Sequence, residues 1–317
     1  LYFSEYTSCV LCPRDCRVNR NIGEKGFCKQ DGNLYVAWAG LHFGEEPPIT
    51  AKRGSGTIFI TGCNLACIFC QNYQISQNGM GLCVEPEVFA NICLALQKTG
   101  AENINIVTGS HHILPILEGL RFAKKNGLSV PILWNTSSYE KKSEIARLSE
   151  QINIWLPDLK TLDSSFSSSV FNAKDYPQIA TDAILSMVES SPLVYENSDE
   201  EKLISGVIVR HLALPNRMKD TENIIRWFSK NLKEKALLSI MTQYTPIDRD
   251  EATKAPSRYI SNEEDDSLRD LLSKYDVEEG FYQELVQDSS WLPDFNKLQP
   301  FSSNLAKPVW HWSRGFV

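Results

Sequence analysis

Nine cysteines are spread over 317 residues, and seven of them stand in two groups whose spacing suits metal–thiolate chemistry. Cys63, Cys67 and Cys70 lie in "TGCNLACIFCQN" and read CxxxCxxC. Three thiolates are one too few to close a tetrahedral site, so a metal held there keeps an open position, as catalytic sites do. Intervals of three and two residues let the thiolates converge from one side around a [4Fe-4S] cluster. A structural zinc, or a closed cluster completed by a remote cysteine, is the alternative. In the second group, "CVLCPRDC" and Cys28 place Cys9, Cys12, Cys16 and Cys28 as CxxCxxxC with a fourth thiol further on. Four thiolates close a site around zinc, a single iron or a [4Fe-4S] cluster. Such a site reads as an auxiliary cluster relaying electrons, or as a staple for a segment too small to build its own core. Cys93 falls in a helical stripe with Val88, Phe89, Ile92 and Leu96 and is read as core, and Cys83 as a bystander.

Thiolates at this spacing need a scaffold to present them. Strands are expected at 56–62, 103–109, 130–135, 152–158, 205–214 and 236–243, each followed by a helix, near 86–99, 113–126, 139–149, 176–190, 220–232 and 265–274. Several strands are continuous apolar runs, as parallel strands buried on both faces are. Six βα units in succession imply an α/β fold, a partial (β/α)6 TIM-like barrel with right-handed crossovers. Its chemistry belongs at the C-terminal strand ends, and Cys63 directly follows the first strand. Residues 5–55 read as a small cysteine-rich extension ending in the linker "GEEPPITAKRGSG", residues 56–245 as the barrel, and 246–317 as a C-terminal extension packing on it. The last begins with a polar stretch and ends in "KPVWHWSRGF", where Trp310, His311 and Trp312 are expected to cover the barrel's mouth or its base. "DSSFSSS" and "ENSDEEK" read as surface loops.

The cysteine loop resembles the signature of the radical S-adenosylmethionine (SAM) superfamily, CxxxCxxC after the first barrel strand with an aromatic, here Phe69, before the last cysteine. "GEEPPI", "GSGTIFITGCNLACIFCQNYQIS", "LPDLK" and "VIVRHLALPN" are similar to an uncharacterised branch labelled pyruvate formate-lyase activating enzyme-like. The resemblance implies a [4Fe-4S] cluster on Cys63, Cys67 and Cys70, with SAM chelating the open iron and yielding a 5′-deoxyadenosyl radical. It also implies SAM contacts at later strand ends. "VTGSHH" stands where many members carry Gly-Gly-Glu. With the acid missing, Ser110 or Thr108 is expected to meet the SAM amine, and His111 and His112 to reach SAM or substrate or else lie on the surface. Asn135 is expected near ribose or sulfonium, with helix capping by Thr136, Ser137 or Ser138 as the competing role. Asp158 and Lys160 point to one side of an extended strand, as ligand contacts or as an internal ion pair. Arg210 and His211 interrupt an apolar run. A buried guanidinium needs a carboxylate, which is either that of SAM or an internal acid. Gln243 and Tyr244 are read as pocket lining. Extra clusters of characterised activating enzymes follow the CxxxCxxC loop, so the upstream cysteines depart from that pattern.

A net charge of −7 and a pI near 5.4 argue against a nucleic-acid partner. No apolar run approaches the roughly 20 residues that span a bilayer, and no signal peptide is evident, so a cytoplasmic protein without a membrane partner is expected. Leu1 to Ser4 resembles the remnant of a cleavable tag. Three functions follow: a radical SAM activase or modifier acting on a protein or peptide, the same chemistry on a small molecule, or a non-catalytic iron-sulfur or zinc protein that binds a partner or passes electrons. The first two call for an electron donor such as a flavodoxin or ferredoxin.

Overall fold

The computed structural model describes residues 2–196, 202–247, 255–277, 279–302 and 304–317. Leu1, part of the polar stretch (248–254) and most of the acidic loop (197–201) lie outside the described residues. The chain enters through strand β1 (Leu34–His42) and the one-turn helix α1 (Pro47–Thr50) into β2 (Ser55–Ile60). Helix α2 (Tyr73–Ser76) and strand β3 (Leu82–Val84) lead to α3 (Pro86–Thr99), and β4 (Ile104–Val107) leads to α4 (Ile113–Lys125). Next come β5 (Ile132–Thr136) with α5 (Lys142–Leu148), and β6 (Ile154–Pro157) with α6 (Ser164–Phe171) and α7 (Tyr176–Ser190). After β7 (Val194–Tyr195), β8 (Leu203–Leu212) is followed by α8 (Met218–Asn231), and β9 (Leu237–Met241) by α9 (Asn262–Lys274). Strands β10 (Gly280–Tyr282), β11 (Ala306–His311) and β12 (Gly315–Phe316) complete the chain.

The six expected strands are β2, β4, β5, β6, β8 and β9, and they run parallel in that order. Every residue of β2, β4 and β6 is buried, because helices cover one face and the barrel interior the other. Local signals set the helix ends. Pro86 opens α3, Gly100 closes it at φ 102°, and Ser261 and Glu264 form a capping box on α9. A Cβ on Gly119 of α4 would stand 2.6 Å from the Phe89 ring, which is how α3 and α4 pack so closely. Helix α5 begins at Lys142 rather than 139, and no side chain caps it; the Thr136 hydroxyl donates to Glu140 instead.

The sheet is open and runs β10-β9-β8-β6-β5-β4-β2-β1-β11-β12. Two expectations change here. The N-terminal segment is more than a metal-stapled appendage, since β1 pairs antiparallel with β2 and is buried over eight of its nine residues. The aromatic tail is not a lid: β11 pairs antiparallel with β1, and Trp310 and His311 are buried in that seam. Upstream of β11, Trp291, Pro293 and Phe301 line the cavity at the barrel mouth. No helix among the described residues is long and apolar enough to cross a membrane.

Candidate functional site

The loop after β2 is built to bring its cysteines inward. Gly62 adopts φ +90°, and a Cβ there would meet Gln30 Cγ at 2.5 Å, His111 Nε2 at 2.8 Å and the Cys28 carbonyl at 3.0 Å. Only glycine permits that approach between the loop and the N-terminal segment. His111 Nε2–H donates to the Thr61 carbonyl at 2.7 Å, and Asn64 donates to the Tyr139 carbonyl at 2.8 Å. The Gln77 amide donates to the Cys67 carbonyl, and the Cys70 thiol lies 3.3 Å from the Ser76 hydroxyl. Phe69 packs edge-on against Phe171 and Tyr244.

Cys63, Cys67 and Cys70 open onto one cavity at the C-terminal strand ends, with about 1350 Å³ of empty space counting its solvent-filled mouth. Phe69, Asn135, Asp158 and Arg210 line the same cavity. Burial pushes the Cys67 and Cys70 thiols up from their ordinary pKa, and the Lys160 ammonium is the largest influence acting the other way on Cys67. Burial alone would lower Lys160, but Asp158, 2.6 Å away, and the Cys67 thiol hold its pKa above the usual value. Asp158 and Lys160 thus form the internal ion pair anticipated as one of two roles. Buried thiols beside an ammonium and an open cavity are a donor set suited to a metal cluster, whose charge would hold them as thiolates.

Arg210 departs from the expectation of a SAM carboxylate partner. Its guanidinium is matched by internal acids, with Nε and Nη2 forking onto Glu46 at 2.9 and 3.1 Å and Nη2 also reaching Glu45. Glu45 accepts from Asn105 of β4 at 2.9 Å and lies 3.8 Å from His42. Burial would raise the Glu45 pKa, but Arg210 and His42 outweigh it and hold the carboxyl below its usual range. The segment read as a linker therefore delivers two acids to Arg210, and one of them, Glu45, lines the cavity. Sequence reasoning missed both, although an Arg inside an apolar strand was itself a signal that acids lay nearby.

Three expected residues lie away from the cavity. Ser110 donates to the buried Glu140 at 2.6 Å, and His111 turns toward Thr61 and the N-terminal segment. His211 is locked between the Leu159 carbonyl and the Thr221 hydroxyl at 2.8 and 2.9 Å. From "VTGSHH" it is Thr108, at φ 60°, that lines the cavity, together with Thr136, Ser137 and Gln243. Tyr244 packs behind Phe69 instead.

Cys9, Cys12, Cys16 and Cys28 come together on the other side of the loop. Burial pushes the Cys12 thiol up to about 12, with the Arg14 amide opposing and Cys28, Cys9 and Cys16 all adding to the rise. The Phe27 amide donates to Cys16 Sγ at 3.2 Å. Asp15, Arg17 and Lys29, which flank Cys16 and Cys28, hold positive φ, as does Ala66 beside Cys67. Backbone strain of this kind costs about 1–3 kcal/mol per residue and persists where something over-determines the conformation. Among the described residues, no three His, Cys, Asp or Glu side chains converge as a site for a single metal ion.

Comparison with known proteins agrees with this architecture. Residues 57–190 match the family model for the Radical SAM superfamily. The uncharacterized protein MJ0674 of Methanocaldococcus jannaschii is 30% identical over 283 residues, covering 86% of this chain and 76% of that one. SuiB of Streptococcus suis, in a crystal structure bound to S-adenosylmethionine, shares the fold with a TM-score of 0.51 at 14% identity. That match covers 70% of this chain, which spans about half the length of SuiB (48%). The chain belongs to the radical SAM superfamily, with the [4Fe-4S] cluster and SAM co-substrate that membership implies.

Proposed function

We propose that this chain is a radical SAM enzyme acting on a protein or peptide, in the manner of a glycyl-radical activase, with Cys63, Cys67 and Cys70 as cluster ligands. The observation that carries the reading is the shared cavity: it is lined by Cys63, Cys67 and Cys70 together with Asn135, Asp158 and Arg210 from three successive strand ends. Bound there, cluster and SAM supply one-electron cleavage of a sulfonium and, through it, removal of a hydrogen atom from the substrate. The chain's residues hold and orient. Asn135 and Thr108 offer an amide and a hydroxyl to ribose or methionine groups. Glu45, fixed by Arg210 and by Asn105, is the cavity carboxylate suited to a SAM cation, and so supplies the acid absent from "VTGSHH". Phe69 packs the loop against α6.

The peptide reading rests on the likeness of "GEEPPI", "LPDLK" and "VIVRHLALPN" to the activating-enzyme-like branch. Cys9, Cys12, Cys16 and Cys28 are proposed to hold a second metal, zinc or iron-sulfur, and a flavodoxin or ferredoxin to reduce the enzyme. Anaerobically reconstituted, reduced protein is expected to release 5′-deoxyadenosine from SAM, and Cys67→Ala to abolish both release and the cluster's iron. No 5′-deoxyadenosine from protein with its iron and sulfide intact would overturn the reading.

A further inference from the structure

Arg14 sits between Cys12 and Cys16, yet its guanidinium leaves that motif altogether. Nε donates to the Asn64 carbonyl at 2.8 Å, and Nη2 to the carbonyls of Leu65 at 3.5 Å and Phe171 at 2.7 Å. Nη1 donates to the Asn172 carbonyl at 2.5 Å. Asn64 and Leu65 are the residues that follow Cys63. Phe171 and Asn172 close α6, whose Val170 carbonyl accepts the Ile68 amide of the same loop at 3.1 Å. One side chain thus ties the CxxxCxxC loop to the α6 terminus. Bonds from a charged donor to carbonyls are stronger than neutral ones. The guanidinium also lies 3.6 Å from the Phe27 ring centroid, one residue before Cys28.

The backbone that aims Arg14 is held by the N-terminal cysteines. The Asp15 amide donates to the Cys12 carbonyl at 3.1 Å, and that of Arg17 to the Cys9 carbonyl at 2.9 Å. Asp15 and Arg17, on either side of Cys16, carry φ of 45° and 57°. A turn strained at two non-glycine positions keeps its shape only while its ends are held, and a metal bound by Cys12 and Cys16 would hold both ends.

We propose that Arg14 is a positioning residue through which the N-terminal thiol site sets the shape of the loop that carries Cys63, Cys67 and Cys70. It is not a catalytic residue, for it does not line the cavity and its hydrogen bonds all go to main-chain carbonyls. This inference rests on the proposed function, since it needs a cluster in the loop and a metal at the N-terminal site.

The test uses the full chain, reconstituted anaerobically with iron and sulfide, and compares wild type, Arg14→Ala, Arg14→Lys, Cys16→Ala and the Arg14→Ala/Cys16→Ala pair. The readouts are the electron paramagnetic resonance spectrum of the reduced cluster and its shift on titration with SAM. Arg14→Ala is expected to broaden the spectrum and raise the SAM concentration for half-shift at least tenfold. Arg14→Lys, which keeps the charge over Phe27 but loses the planar fork, is expected to lie between. Cys16→Ala should reproduce the Arg14→Ala spectrum, and the pair should be no worse than either single change, because residues acting in one chain are non-additive. An Arg14→Ala spectrum and SAM titration matching wild type overturn the inference alone, as do additive effects in the pair. A wild type with no cluster signal overturns the proposed function and this inference together.

Discussion

All five histidines are buried, and burial lowers the pKa of each ring. His111 is brought down to about 3, with its bond to the Thr61 carbonyl opposing and Arg20 adding to the fall. Each ring takes up its proton at a lower pH in the fold than in the unfolded chain, where it does so near the ordinary 6.5. The unfolded state then binds more protons, so stability falls as pH drops from 6.5 toward the lowered folded values. One such group costs at most about 1.4 kcal/mol per pH unit in that window. Urea unfolding between pH 7.5 and 5.5 should show this slope, and His211→Gln should reduce it by up to one proton. An unchanged slope in that variant would show that His211 is not held neutral. Glu45 acts in a lower window. Its carboxyl is depressed in the fold, so its contribution is complete above 4.5 and is lost as pH falls through the lower folded value. At this scale residue types were legible and partners were not. "VIVRHLAL" announced two buried polar groups, but that Arg210 meets Glu45 and Glu46 depends on contacts 165 and 164 residues apart. His211 likewise meets Leu159 and Thr221.

Each barrel strand could be read as an element because burial on both faces leaves a continuous apolar run, a signal contained within four to ten residues. The cysteine loop was legible for the same reason, since its spacing and its place after β2 are local. What the loop packs against was not. Gly62 is the pivot, with Gln30 and His111 closer to its missing Cβ than side chains allow, the Cys28 carbonyl 3.0 Å from it and φ at +90°. Gly62→Ala is expected to cost about 1–3 kcal/mol from the positive φ alone, and more from the clash. The relief available is to push the loop away from the N-terminal segment. Reconstituted G62A protein should therefore lose iron from the loop while retaining the metal proposed at Cys9, Cys12, Cys16 and Cys28. Equal iron content in G62A and wild type would show that the loop tolerates the displacement. The N-terminal strand escaped the sequence reading for an analogous reason. "LYVAWAGLH" is apolar enough to be a strand, but the cysteines before it drew the segment toward a small metal-bound unit.

At the scale of the molecule, β1 joins the first and last parts of the chain to the barrel. It pairs with β2 on one side and with β11 on the other, so the sheet runs unbroken from the radical SAM strands into the C-terminal tail. Trp312 closes the seam twice, its amide on the Ala37 carbonyl at 3.0 Å and its indole on the Phe295 carbonyl at 2.9 Å. Phe295 in turn packs on Phe59 of β2 and on Phe301 at the cavity mouth. The tail thus supports the mouth from behind. Deleting residues 306–317 would expose the β1 edge and remove Val309 and Trp310 from the core. Burying two such side chains contributes on the order of 3–6 kcal/mol, a large part of the roughly 5–15 kcal/mol by which domains are stable. The bared edge is also a template for pairing with another chain. The truncated protein is expected to melt several degrees lower and to elute partly as aggregate on size exclusion. The barrel strands β4 to β9, which make no pairing with the tail, should retain native-like circular dichroism at low temperature. A truncated chain with the full-length melting temperature would mean that β2 and β3 hold β1 without the tail. In that case the support of Phe295 and Phe301 at the mouth must come from the segment before β11.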